Sequence, residues 1–223
     1  MRLFLLQRLI ALRGPVSAAA RKRRMAEFTG RMRPQGGERI IDLGGTPGFW
    51  DGCAIPLDIT VINLPGINPP EAPPSHHRIA LVDGDACAVD FAADMSFDIA
   101  FSNSVIEHVG DAEKRAAFAG EVRRLAPAWW VQTPSIWFPI EAHCHMPFWW
   151  FYPERTRAAC IRRWHRDIPA WADMVAGTTI VRREELESLF PDGTIWREWK
   201  AGFVKSYVTY KPQPAAAKLP RAS

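Results

Sequence analysis

The segment Arg39-Ile40-Ile41-Asp42-Leu43-Gly44-Gly45-Thr46-Pro47-Gly48-Phe49-Trp50 constrains this chain more than any other. It predicts a short buried strand that ends on an acid and turns at once through glycines. A turn without Cβ atoms lets backbone lie directly against a ligand. Spacing then narrows the ligand. A dinucleotide fingerprint starting at Gly44 requires glycine at positions 46 and 49, which hold Thr46 and Phe49. The stretch from Gly48 to Asp58 leaves room for only a short helix before the next strand.

Further strands follow in order. Asp58-Ile59-Thr60-Val61-Ile62-Asn63-Leu64 is a β-branched apolar run suited to a central parallel strand. Asn63 stands about 20 residues after the glycine turn, where nucleoside-binding folds carry an acid for the ribose hydroxyls. Pro65, Pro69, Pro70, Pro73 and Pro74 then forbid an ordinary crossover helix. Arg78–Val82 reads as a third strand leading to Gly84-Asp85-Ala86. A fourth runs through Phe97-Asp98 to Asn103 and continues into Val105-Ile106-Glu107-His108-Val109. Asp111 caps a predicted helix through Leu125, Trp129–Thr133 forms a fifth strand, and Arg183–Phe190 a short helix. Thr194–Trp199 and Val204–Tyr210 pair as a hairpin around Gly202. The predicted fold class is α/β, a Rossmann-like, doubly wound and mostly parallel sheet with a C-terminal antiparallel hairpin.

Taken in order, the Gly44-x-Thr46-x-Gly48 turn, the ribose position, Gly84-Asp85-Ala86 and Val105–Val109 resemble the class I S-adenosylmethionine-dependent methyltransferases of the small-molecule, Val-Ile-Glu-His-Val type. The resemblance covers roughly residues 39 to 133. It implies S-adenosyl-L-methionine as cofactor, with Asp42 accepting from the amino-acid end and Gly44, Gly45 and Gly48 allowing close backbone approach. It places Asn63 at the ribose, Asp85 and the Ala86 backbone at the adenine, and Asn103 beside the methionine part. Two departures stand out: Thr46 replaces the middle glycine, and Asn63 lacks the charge of a carboxylate. They leave open a catalytically silent binding protein of the same fold.

Pro134 to Trp171 is where this chain is individual. Seven of its ten tryptophans fall between Trp129 and Trp171, so the segment packs or binds something large and apolar. In relatives this region builds the acceptor site, which makes Glu141, His143 and His108 the candidate acid, base or orienting groups for a small or amphiphilic acceptor. Glu141-x-His143-x-His145 invites a metal reading. No second ligand pair with convincing spacing accompanies it, and methyl transfer needs no metal, so none is assigned.

Charge divides the chain. Residues 1–33 hold nine Lys/Arg and one acid, Glu27, while the rest is slightly acidic. Domain organisation is therefore read as a basic helical arm over 1–38, a methyltransferase domain over 39–211 with its insertion at 134–171, and a disordered tail over 212–223. The resemblance lays the helix ending near Met32 across the cofactor pocket as a lid. The arm leaves open a peripheral membrane contact or an RNA-associated methyltransferase, although Arg21-Lys22-Arg23-Arg24 reads better as a solvated face than as a nucleic-acid patch. Residues 1–13 are too short an apolar run to span a bilayer and lack a cleavage site. Four scattered cysteines without a CxxC pair point to a reducing, cytoplasmic location. Oligomeric state is not legible.

Overall fold

The computed structural model describes residues 21–213. Seven strands form one sheet in the order β3-β2-β1-β4-β5-β7-β6. β1 (Arg39–Leu43), β2 (Asp58–Asn63), β3 (Arg78–Asp83), β4 (Ile99–Asn103) and β5 (Ala128–Pro134) run parallel. β6 (Thr194–Lys200) and β7 (Phe203–Lys211) form the hairpin, with β7 antiparallel to β5. The α/β class, the parallel majority and the closing hairpin are those the sequence predicts.

Each buried strand divides its side chains between two cores, as a period of two requires. On one face Ile41, Leu43, Trp129 and Val131 meet Phe118, Val122 and Leu125 of α2 (Ala112–Leu125) and Leu186 of α5 (Arg183–Leu189). On the other, Ile40, Ile59, Phe101 and Trp130 meet Trp50 and a helix, α1 (21–32). Phe28 of α1 is fully buried, edge-on to Trp50, Phe101 and Trp130 at centroid distances of 5.7, 5.3 and 5.7 Å. Burial of Met25, Phe28 and Met32 packs α1 against this core. The segment before residue 21, including the predicted basic amphipathic stretch, lies outside the described residues, as does the tail from 214.

Local chemistry sets the connections. Asp111 caps α2, its carboxylate accepting from the Lys114 N–H at 3.0 Å. Between β1 and β2 there is only a 3-10 turn, Pro47–Gly52. The proline-rich link from β2 to β3 forms no helix; Asn68 fixes it by donating to the Val82 carbonyl and the Asp83 carboxylate, both at 2.9 Å. After β5 the chain builds its insertion. Trp149 stacks on Trp164 of α3 (Glu154–Asp167), which meets Trp171 of α4 (Pro169–Gly177), giving a small separate core with Cys144 and Val175. Much of the tryptophan richness is therefore structural. Among the described residues no helix is long and apolar enough to cross a membrane.

Candidate active site

The carboxyl ends of β1, β4 and β5 converge on one region, where open parallel sheets bind ligands. Asp42 ends β1 on the same face as Ile40 and is completely buried. The Trp50 indole N–H donates to its Oδ2 at 2.8 Å, while Oδ1 has no partner among the described residues. Desolvation pushes its pKa up to about 7, the indole bond opposing the rise. Gly45 lies so close that a Cβ there would sit 1.8 Å from Asp42 Oδ2. Gly44 has φ +80° and would drive a Cβ to 2.6 Å from Val105. Gly48 differs: a Cβ would meet nothing nearer than 3.7 Å, so space does not demand glycine there.

Asn63 is at the end of β2, as expected, but its amide already has duties. Nδ2 donates to the Gly45 carbonyl at 2.9 Å and to Asn68 Oδ1 at 2.8 Å. The side chain thus ties the glycine turn to the proline-rich loop, leaving its own oxygen as the acceptor available to a ligand. Asp85 closes its own turn by accepting from the Cys87 N–H at 2.8 Å and faces Lys114 at 3.7 Å. Ala86 sits in that turn, partly buried. Asn103 ends β4, and its Oδ1 accepts from Arg24 Nη1 at 2.6 Å.

Arg24 lines the site and was not singled out by the sequence. It belongs to the basic run read as a solvated face, yet it is only 8% exposed. From α1 it reaches Asn103 at 2.6 Å, Gln132 at 3.3 Å and Glu198 at 3.4 Å. Burial lowers the pKa of the guanidinium, and Glu198 resists the shift. Glu198 in turn accepts from Ser206 and Lys205. A cavity of about 500 Å³ opens here, lined by Arg24, Asn103, Gln132, Glu141, Lys200 and Lys205 among others. The only available signal was the helical spacing of Met25, Phe28 and Met32, which turns Arg24 towards the sheet.

On the far side of this cavity the candidate acid–base residues do come together. His108 Nε2 lies 2.9 Å from His143 Nε2, with the rings edge to face. His143 Nδ1 is 2.8 Å from Glu141 Oε1. Glu141 Oε2 also accepts from the backbone N–H groups of His143 and Cys144. Burial tends to neutralise Glu141, but these donors outweigh it and its pKa falls. For His143 desolvation is likewise outweighed, by the Glu141 hydrogen bond and charge, and its pKa rises. His108 is pushed down to about 4 by desolvation and by His143. Glu107 lies 3.9 Å from His143 Nε2 and is raised to about 7 by burial. His145 does not join the cluster. Its backbone N–H bonds back to the Glu141 carbonyl, and its side chain lines the large cavity.

Solved structures give this fold its parallels. No family model matches the chain, and no curated protein does. Phosphoethanolamine N-methyltransferase 2 of Haemonchus contortus, solved in complex with S-adenosyl-L-methionine, superposes with a TM-score of 0.55 at 12% identity, over 86% of this chain and 53% of that one. The same enzyme with phosphomonomethylethanolamine and S-adenosylhomocysteine gives 0.51 at 15%, over 78% and 38%. The N-methyltransferase NodS of Bradyrhizobium japonicum gives 0.51 at 15%, over 86% and 95%. The chain thus spans about half or less of the Haemonchus enzyme and nearly all of NodS. At such identities the likeness establishes the fold alone, one shared with these solved methyltransferases.

Proposed function

We propose that this protein is an S-adenosyl-L-methionine-dependent methyltransferase acting on a small acceptor that carries an acidic group. The observation that carries the reading is the buried Asp42 at the end of β1, with one unpartnered oxygen behind a turn whose Gly44 and Gly45 have no room for a Cβ. These features fit the cofactor. Asp42 would take its ammonium end, and Gly44, Gly45 and Gly48 would give the backbone approach. Asn63 Oδ1 would accept from the ribose, Asp85 and the Ala86 backbone would bind the adenine, and Asn103 would flank the methionine chain. When bound, the sulfonium supplies a methyl group already activated for in-line displacement, so the protein's work is chiefly positioning, worth about 7–11 kcal/mol in good cases.

The acceptor would occupy the 500 Å³ cavity, where Arg24, Lys200 and Lys205 favour a negatively charged group. Glu141 lines both this cavity and the pocket containing His143. It orients His143, and the His143–His108 pair would take up a proton released by the acceptor. A silent binding protein of the same fold is the competing reading. It rests on the same Asp42 and glycine turn, but assigns no acceptor to the 500 Å³ cavity. Calorimetric titration with S-adenosylmethionine and S-adenosylhomocysteine tests the cofactor. Absence of binding at millimolar ligand would overturn the proposal, and binding without label transfer to any acidic metabolite of a cell extract would favour the silent alternative.

A further inference from the structure

The two histidines that meet 35 residues apart in sequence pose a problem of proton accounting. Thr178 Oγ1 spends its only hydrogen on the Met174 carbonyl at 2.8 Å, so towards His108 Nδ1, 3.4 Å away, it can only accept. His108 therefore carries its proton on Nδ1. His143 Nδ1 faces the Glu141 carboxylate and carries its proton there too. Both Nε2 atoms are then without a proton and stand 2.9 Å apart. Such a contact is repulsive unless a positive centre lies between them. Glu107 adds to the demand: it is 2% exposed, its Oε2 accepts from Thr133, and its Oε1 has no partner among the described residues.

We infer that Glu107, His108 and His143 form a binding site for a divalent transition-metal cation, with two imidazoles and a carboxylate as its ligands. Their ligand atoms all lie within 4.8 Å of one another. Two nitrogens about 2.1 Å from one ion stand about 3 to 3.4 Å apart, from a right angle to the tetrahedral angle, so the Nε2 pair at 2.9 Å has to open only slightly around an ion. The outer partners are those a metal site needs: Glu141 on His143 Nδ1, Thr178 on His108 Nδ1 and Thr133 on Glu107 Oε2 fix each ligand's orientation. With Glu107 and Glu141 ionised and both imidazoles neutral, the group carries two negative charges, which a divalent ion balances. A space of about 20 Å³ lined by Glu107, Glu141 and His143 holds one water-sized ligand beside it. Imidazole donors select zinc, iron, cobalt or nickel over magnesium or calcium. This differs from the ligand set that the Glu141-x-His143-x-His145 spacing suggests, because Glu141 turns to His143 and His145 turns away.

With an ion bound, both Nε2 atoms are ligands and the pair no longer takes up the acceptor's proton; the test of the site uses neither cofactor nor acceptor. The untagged full chain, stripped with EDTA, is titrated calorimetrically with Zn²⁺ and, separately, with Co²⁺, whose visible d–d bands report imidazole ligation. Expected are one ion per chain, weakening of about 100-fold or more in His108→Ala and His143→Ala, and of about 10- to 100-fold in Glu141→Gln. His165→Ala, which alters an exposed histidine paired with Asp173, leaves binding unchanged. His108 is itself exposed, so its substitution tests ligation without threatening the fold, which circular dichroism verifies. Absence of saturable binding, or binding undiminished in folded His108→Ala, overturns the inference and leaves a shared proton between the rings. Failure of cofactor binding would leave it untouched.

Discussion

Asp42→Asn separates what stabilises this fold from what a cofactor needs. The carboxyl is completely buried and its pKa rises from 3.8 to about 7, first because burial penalises the charge. The native state therefore holds this proton more tightly than the unfolded chain. Its contribution to stability is fully present below pH 4 and is lost as pH rises towards and through 7. Between pH 5 and pH 8.5 the loss amounts to about 3 kcal/mol, taking 1.36 kcal/mol per pH unit. Asparagine keeps an oxygen for the Trp50 indole and cannot ionise. The stability of Asp42→Asn relative to wild type should therefore climb by about 3 kcal/mol between those pH values. Urea denaturation of both proteins at each pH measures this, and other titrating groups, Glu107 included, cancel in the difference. A difference that stays flat with pH would refute the assignment of a neutral buried carboxyl. Under the methyltransferase proposal the same variant loses cofactor affinity, a gain in stability coupled to a loss of binding.

Other substitutions test the surrounding architecture. Asn63→Asp, which restores the acid common at the end of β2, removes both donors to the Gly45 carbonyl and Asn68 and should cost about 1–3 kcal/mol by thermal or urea unfolding. Gly45→Ala forces a Cβ against a carboxylate that cannot retreat, and a loss of about 1–3 kcal/mol with altered Trp50 fluorescence is expected. Arg24→Met removes one of the two cations on buried Glu198, Lys205 remaining, and should cost about 1–3 kcal/mol. Arg24→Met combined with Glu198→Leu, which also strands Lys205 and Ser206, should cost less than the two single losses together in the same unfolding assay, and a purely additive double variant would contradict the pairing.

How far the sequence reaches depends on whether a residue's role is local. β1, the Asp111 cap, the 194–211 hairpin and the helix-free proline link follow from propensity and spacing, and the structure has them. Asp42, Gly44 and Gly45 are legible for the same reason, since a strand and its own turn define their surroundings. Asn103 was placed correctly at the end of β4, but its engagement by Arg24 comes from α1, 79 residues earlier. Four basic residues in a row read as solvent-facing, and only the apolar periodicity of α1 hints that one turns inward. The meeting of His108 with His143 depends on how the insertion folds back over β4 and β5, which no local pattern encodes. Glu141-x-His143-x-His145 misleads because alternation implies an extended strand, whereas His145 sits at φ +59° in a tight loop.

The position of β7 has a consequence for how the protein is made. Strands 1 to 5 emerge from the ribosome in sequence, yet β5 has no second neighbour until residues 203–211 arrive to pair along Trp129–Pro134. The Arg31 guanidinium of α1 rests on Trp196 and Tyr210 at 5.0 and 5.4 Å, so the first described helix waits for the same late segment. A nascent chain stopped short of residue 211 displays the open edge of a tryptophan-bearing strand. Such an edge is a template for wrong pairing. Completion of the sheet is thereby tied to synthesis through residue 211, and a truncation that spares every residue of the candidate site would still leave its floor unfinished.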